Sequence, residues 1–393
     1  MIDYNKILSN KILQVKPSGI RKFFDIAAEM DHVISLGVGE PDFKTPWAIR
    51  QEAIRTLEKG QTWYTANAGL LPLRQEIARY LKNAVGVEYH PKDEILVSVG
   101  GSEAIDLCVR ALVQPGDQVL IPQPSFVCYD PIVQLAGGTP VIIQTKAENQ
   151  FRLTPQELEE KITPSTKLLV LPYPNNPTGA VMKKEDLEAI APVIQKHDLL
   201  VLSDEIYSEL TYSGKHVSIA SLPGMAQRTV VINGFSKSFA MTGWRLGYAA
   251  GPAPIIGLMV KIHQYAIMSA PTMSQYAAVE ALRSCMSSVE EMRQEYNLRR
   301  RYLVDALNKM GLSCFEPEGA FYVFPSIQST GLTSEEFCEK LLQKERVAVV
   351  PGNAFGECGE GHVRISYSYS INHLKEALKR IQRFVRQCQE ETL

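Results

Sequence analysis

No apolar run in the 393 residues approaches the roughly 20 needed to cross a bilayer, which excludes a membrane-spanning helix. Neither sign of charge is in excess. The 41 Lys and Arg stand against 43 Asp and Glu, so the basic footprint of a nucleic-acid or anionic-membrane partner is missing. Cysteine is sparse and unpatterned: Cys108, Cys128, Cys285, Cys314, Cys338, Cys358 and Cys388 are odd in number and contain no CxxC. That spacing argues against a disulfide framework or a zinc site and fits a reducing compartment. The seven histidines are as scattered and form no HExxH, so no metal is expected. Neither GxxxxGK[ST] nor a strand-linked GxGxxG occurs, which disfavours P-loop and Rossmann sites. The first residues, MIDYNKILSNKILQVKPSGIRKF, lack the apolar core of a signal peptide, and a cytoplasmic location is expected.

What is present describes an ordinary soluble enzyme. Hydrophobic residues make up 45% and charged residues 21%, and the length allows two domains around a large core. An N-terminal arm leads into a helix expected over 20–30, and ISLGVGEPDF (34–43) starts as a short strand. Helices are expected over 46–58 and 71–85. From residue 94 short apolar runs alternate with helical stretches: strands at 95–99, 118–122, 140–144, 167–172, 199–204 and 229–233, helices at 102–113, 126–135 and 184–197. Such alternation predicts a mainly parallel sheet covered on both faces. A long helical run, 273–310, then leads to strands at 321–325, 347–351 and 362–366 and helices at 335–344 and 373–388. The expected division is an arm with part of a small domain at 1–45, a large domain at 46–285, and a small α+β domain at 286–393.

The stretch 230–248, VVINGFSKSFAMTGWRLGY, organises the rest. Val230, Val231 and Ile232 read as a buried strand stopped by Asn233-Gly234. Ser236-Lys237-Ser238 then falls in a tight, exposed bend, and Arg245 follows the lysine by eight residues. Lysine is the only side chain with a primary amine, and amines condense with carbonyls to give Schiff bases. A guanidinium offers a phosphate two parallel N–H donors, which an ammonium cannot. Together they suit a covalent aldehyde carrier with an anionic handle. Taken singly, each is equally a solvated surface residue.

Residues 236–247 match S-K-x-x-x-x-x-G-x-R-x-G throughout, and here the chain resembles the class I aminotransferases, fold-type I enzymes of pyridoxal 5′-phosphate (PLP). The resemblance runs from about residue 20 to 385. It implies an α/β fold with a mainly parallel seven-stranded sheet between helices in a large domain, plus a small α+β domain. It implies PLP as cofactor, an amino acid and a 2-oxo acid as substrates in a ping-pong reaction, and a homodimer with shared active sites. Lys237 is implied to carry the cofactor and, once displaced, to move a proton between the substrate Cα and the cofactor's C4′.

The remaining motifs extend this. VGGSEAIDL (99–107) closes a strand and opens a helix with Ser102 as N-cap, which is either an anion site or a plain capped turn. By resemblance, Gly101 and Ser102 hold the cofactor phosphate opposite Arg245. PNNPTGAV (174–181) fixes Asn176 in a sharp loop, where its amide can donate to the cofactor's phenolic oxygen. SDEIY (203–207) puts Asp204 at a strand end, where a carboxylate can keep the pyridine nitrogen protonated, and Tyr207 can share the phenolic oxygen with Asn176. In PSFVCYDP (124–131), Phe126 starts a helix and either stacks on the pyridine ring or packs the core. TWYTANAGL (62–70) resembles the segment whose tyrosine, here Tyr64, reaches a neighbouring subunit's phosphate. HVRIS (362–366) carries Arg364 into an apolar strand, where a substrate α-carboxylate would be its partner, with Gly39 lending backbone nearby. Relatives carry Ser or Thr three residues before the lysine. Here Gly234 stands there, leaving Ser236 or Ser102 as phosphate hydroxyls.

For the substrate, the chain looks most like the bacterial and archaeal aromatic and aspartate aminotransferases. Ser102 stands where aspartate-specific relatives often carry lysine, and Tyr265 precedes SAP (269–271) where another aspartate branch carries arginine. A pocket of Ile20, Phe126 and Tyr265 then predicts aromatic amino acids, with 2-oxoglutarate as acceptor. The alternatives are acid recognition by Arg21 or Lys22, an aspartate or N-acetyl-diaminopimelate type aminotransferase, and a C–S β-lyase using the same motifs. A non-catalytic regulator on this fold would carry an added winged-helix domain.

Overall fold

A computed structural model describes residues 2–4, 7–15 and 30–392. Apart from Met30, the helix expected over 20–30 lies outside them, as do Ile20, Arg21 and Lys22. Strand β1 (Ile34–Ser35) is followed by the seven-stranded sheet: β2 (Ile95–Ser98), β3 (Gln118–Gln123), β4 (Thr139–Gln144), β5 (Thr166–Leu171), β6 (Leu200–Asp204), β7 (Thr229–Gly234) and β8 (Gly247–Ala250). Their order is β2-β8-β7-β6-β5-β3-β4, and only β8 runs antiparallel to its neighbours β2 and β7. Successive residues point to opposite faces, and both faces are covered. Leu168, Val170, Leu202, Val230 and Ile232 pack under the helices Gly101–Leu112 and Ala253–Ala266, while Leu169, Leu171 and Val201 pack under Lys184–Lys196. That double coverage explains why these strands read as unbroken apolar runs.

A second body carries β9 (Tyr322–Val323), β10 (Val347–Ala348), β11 (Val350–Pro351) and β12 (Val363–Ser366), with antiparallel order β11-β12-β9. Strand β1 pairs in parallel with β10, which ties the N-terminal segment to this body. Tyr296, Leu303, Phe337 and Phe384 fill its core, from the helices Met286–Lys309, Ser334–Glu345 and Ile371–Thr392.

The structure corrects two expected helices. The run 273–310 is two helices, Thr272–Ser284 and Met286–Lys309, because Cys285 leaves helical geometry at φ −108° and ψ 14°. Ser284 supplies a cause: its hydroxyl takes the Glu280 carbonyl at 3.1 Å, a side-chain bond that competes with the helix ladder. The helix expected over 126–135 begins at Tyr129 instead, with Cys128 at the N-cap position, and the Ser125 N–H before it donates to the Phe355 carbonyl at 3.1 Å. Phe126 therefore stands before the helix and not on it.

Candidate active site

The carboxyl ends of β5, β6 and β7 open into a cavity of about 410 Å³, roofed by the segment 37–40 and by Tyr322 and Arg364 of the second body. Crevices at such strand ends are where open α/β sheets bind ligands.

Lys237 lies on the connection by which β7 turns back into β8. The bend expected to be exposed is buried: Ser236 and Ser238 are 8% and 4% exposed, and the Ser238 hydroxyl turns back to the Gly234 carbonyl at 3.4 Å. Lys237 Nζ donates to the Gly39 carbonyl at 2.6 Å and lies over the rings of Tyr207 and Phe321. Burial pulls this amine down to about 8. The Glu40 carboxylate opposes that, and Arg364 and Arg245 add to it. More of the amine is then neutral near physiological pH than for an ordinary lysine, and the neutral form is the nucleophile.

Arg245 adopts a left-handed φ of +52° and donates from Nη1 to the Thr242 carbonyl at 2.9 Å. Its guanidinium lies against Gly100, where a Cβ would come within 2.7 Å of Nη2. Gly100 also has φ +86°, so only glycine suits the position. This corrects the cap: Gly100 occupies the N-cap position without a side-chain cap, and the helix starts at Gly101 with Ser102 in its first turn. The first N–H groups of a helix have no partner within it and favour an anion, here in front of a guanidinium. Gly234 has a steric reason. A Cβ there would lie 2.9 Å from Gly247 Cα and 3.0 Å from the Leu246 carbonyl oxygen.

On the opposite side, Asp204 closes β6 at 7% exposure. Tyr129 donates its hydroxyl proton to Oδ2 at 2.6 Å, and the Ile206 N–H donates to Oδ1 at 3.2 Å. Burial raises the Asp204 carboxyl above the usual range, while Tyr129 and the Ile206 amide oppose the rise. Phe126 meets Tyr129 edge-on at 6.2 Å, and both line the cavity. The Tyr207 hydroxyl is 2.9 Å from that of Tyr322.

Arg364 on β12 is 4% exposed. It donates from Nη1 to Asn176 Oδ1 at 2.8 Å and from Nη2 to the Gly37 carbonyl, and it lies over the rings of Tyr322 and Phe355. Its Nε is buried without a partner. Burial lowers its basicity, which the nearby Tyr322 and Tyr207 counteract. Gly39 passes so close to Tyr322 that a Cβ would lie 2.1 Å from the hydroxyl, so the segment can roof the cavity only as glycine.

The cavity wall thus brings together Gly39, Gly101, Ser102, Phe126, Asn176, Asp204, Tyr207, Ser236, Lys237, Arg245 and Arg364. Tyr64 is not among them: it is 77% exposed on the loop after the helix Trp47–Glu58. Tyr265, also expected near the substrate, is 84% exposed and off the wall. Sequence reasoning missed Tyr129 and Tyr322. Tyr129 stands three residues after Phe126 in a motif already singled out, whereas Tyr322 reads as one more residue of an apolar strand.

These residues fit PLP by chemistry: an amine of lowered basicity for its aldehyde, a guanidinium before a helix N-terminus for its phosphate, and a buried carboxylate for its ring nitrogen. The orphaned Nε of Arg364 fits the carboxylate of an amino acid. Fold and site together define an enzyme that works on amino groups through a bound aldehyde. The chain belongs to the class I and II aminotransferases, whose family profile (Aminotransferase class I and II) matches residues 31–381, and it is accordingly PLP-dependent.

The chain is 51% identical over 383 residues to the aspartate aminotransferase of Pyrococcus abyssi (strain GE5 / Orsay), covering 97% of this chain and 98% of that one. It is 48% identical over 383 residues to aromatic-amino-acid aminotransferase 2 of Thermococcus litoralis, with the same coverage. The aspartate aminotransferase of Thermus thermophilus with maleate superposes with a TM-score of 0.92 at 38% identity, over 96% of this chain and 99% of that one. Among the described residues no helix is long and apolar enough to cross a membrane.

Proposed function

We propose that this aminotransferase moves the amino group of an aromatic L-amino acid to a 2-oxo acid such as 2-oxoglutarate, in a ping-pong cycle, as a cytoplasmic homodimer. The supporting observation is the charge of the cavity wall. Among its described lining residues the cations are Lys237, Arg245 and Arg364, each with a task of its own, and Glu40 adds a carboxylate. A distal carboxylate finds no further cation, whereas Val38, Phe126 and Tyr322 offer an aromatic side chain apolar surface. The test is kcat/KM for phenylalanine, tyrosine and aspartate with one common acceptor. An aspartate value tenfold above both aromatics would refute the preference. Aspartate is the second reading, favoured by the P. abyssi relative's name. It needs a cation from outside this wall, such as Arg21 or Lys22. Release of pyruvate and ammonia from cystathionine, without stoichiometric glutamate from 2-oxoglutarate, would point instead to C–S β-lyase activity.

The geometry supports a role for each residue. Arg245 with the Gly101–Ser102 helix start holds the phosphate, Ser236 standing beside it. Asp204 would keep the ring nitrogen protonated, Phe126 would pack against the ring, and Asn176 and Tyr207 would serve its phenolic oxygen. Arg364 takes the α-carboxylate in a bidentate fork and so aims the Cα–H at Lys237. The bound cofactor supplies an aldehyde for capturing amines and a ring that accepts the electron pair released at Cα. Lys237 Nζ, once the substrate amine had displaced it, would accept the Cα proton and return it to the cofactor's C4′. Tyr64, exposed in one subunit, reaches the partner's phosphate. The division at 45 and 285 then separates a cofactor-holding large domain from a small domain that carries Arg364.

Two expectations arise here. Asp204→Asn folds and binds PLP, but loses about 10²- to 10³-fold in the amino-acid half-reaction, the scale of one misplaced preorganised electrostatic partner. Single-turnover absorbance measures this, and an unchanged rate constant sinks the assignment. The second concerns pH. Capture of PLP by apoenzyme requires neutral Lys237, so its rate should climb about tenfold per pH unit and level off above about pH 8. For an unshifted lysine the climb continues towards pH 10. Stopped-flow mixing of apoenzyme with PLP across pH 6 to 10 distinguishes the two.

A further inference from the structure

The helix that opens the phosphate cradle carries a carboxylate in its first turn. Glu103 stands two residues after Gly101, and negative charge there stabilises the helix start but competes with any other anion for it. Its two oxygens are both engaged. Oε2 accepts the N–H of Val99, the residue before Gly100, and Oε1 faces His263 Nδ1 at 2.7 Å. His263 comes from the helix Ala253–Ala266 and is completely buried, and its Nε2 has no partner. A solvent-excluded imidazole aimed at this one carboxylate is costly to keep for packing alone.

We infer that His263 and Glu103 are positioning residues for the cofactor's phosphate. His263 holds the Glu103 carboxylate against Val99 and its own ring, away from the helix mouth. Glu103 in turn pins Val99, so that the next residue, Gly100, keeps its close approach to Arg245. The dianion can then bind a helix start that already carries a carboxylate. Without the imidazole N–H, carboxylate and phosphate would contend for the same donors. The inference rests on the reading that Gly101, Ser102 and Arg245 hold the phosphate.

The experiment compares dissociation constants of apoenzyme for PLP and for pyridoxal, which lacks the phosphate, by quenching of intrinsic fluorescence. His263→Leu is expected to weaken PLP about tenfold, the scale of one hydrogen bond to a charged group, and to leave pyridoxal within about twofold. Should it fail to fold, His263→Phe keeps a ring without an N–H and gives the same comparison. Glu103→Gln removes the competing charge yet still accepts from Val99, so it should bind PLP within about threefold of the parent. In the double variant it should bring PLP affinity back to that range. Equal loss of PLP and pyridoxal affinity in the His263 variants, no loss at all, or no recovery in the double variant would overturn the inference. Arg245→Ala is the separate control: if it does not weaken PLP selectively over pyridoxal, the site reading itself is wrong.

Discussion

Lys237→Ala should fold as the parent does and lose transamination by roughly 10⁴-fold or more, because nucleophile and proton carrier disappear in one change. Folding should survive because the substitution removes an amine that burial already disfavours, together with its hydrogen bond to the Gly39 carbonyl. Among the described residues that line the cavity it is the only lysine. Steady-state turnover and a thermal melt decide the matter together. Turnover within tenfold of the parent, with an unchanged melt, would mean that the amine acts elsewhere.

The second large effect belongs to Arg364. Its cation is buried among Tyr322, Phe355, Asn176 and the Gly37 carbonyl, with Nε unpartnered. Holding such a charge out of water is unfavourable unless an anion arrives, and the substrate α-carboxylate is the anion common to all amino acids and 2-oxo acids. Arg364→Leu should therefore lower kcat/KM by about 10²- to 10³-fold, the range for losing one partner of a buried charge pair. The loss should be uniform across aromatic, aliphatic and acidic substrates. Arg364→Lys keeps the charge but not the fork, and should recover only part of it. A loss confined to one side-chain class would place Arg364 at the side-chain subsite instead.

Much of this was legible in the chain. The strands around Lys237 announce themselves because both faces are covered, which leaves Leu168–Leu171 and Val230–Ile232 apolar without interruption. The strand-end residues Asp204, Asn176 and Lys237 sit where breaks in those runs predict loops. Less legible was anything set by approach between distant segments. Helical periodicity runs through Cys285 unchanged, so a one-residue break leaves no trace in the pattern. Ser102 has the composition of an N-cap, yet the cap falls two residues earlier, on Gly100, against which the guanidinium of Arg245 lies. The bend at Ser236–Ser238 looks polar and exposed, yet is buried, and Gly39, 198 residues away, meets Lys237 Nζ there. Tyr129 and Tyr322 touch Asp204 and Tyr207 through contacts 75 and 115 residues apart, beyond the reach of local pattern.

The most direct test of the account is to fix the cofactor where it is bound. PLP-loaded enzyme is reduced with borohydride, digested and mapped by mass spectrometry, with and without prior incubation with excess phenylalanine and no oxo acid. The account expects the phosphopyridoxyl label on Lys237 alone, and its loss after phenylalanine, because the amino acid displaces the lysine and carries the cofactor into the other half of the cycle. A label on another lysine, or one on Lys237 that persists undiminished after phenylalanine, would contradict it.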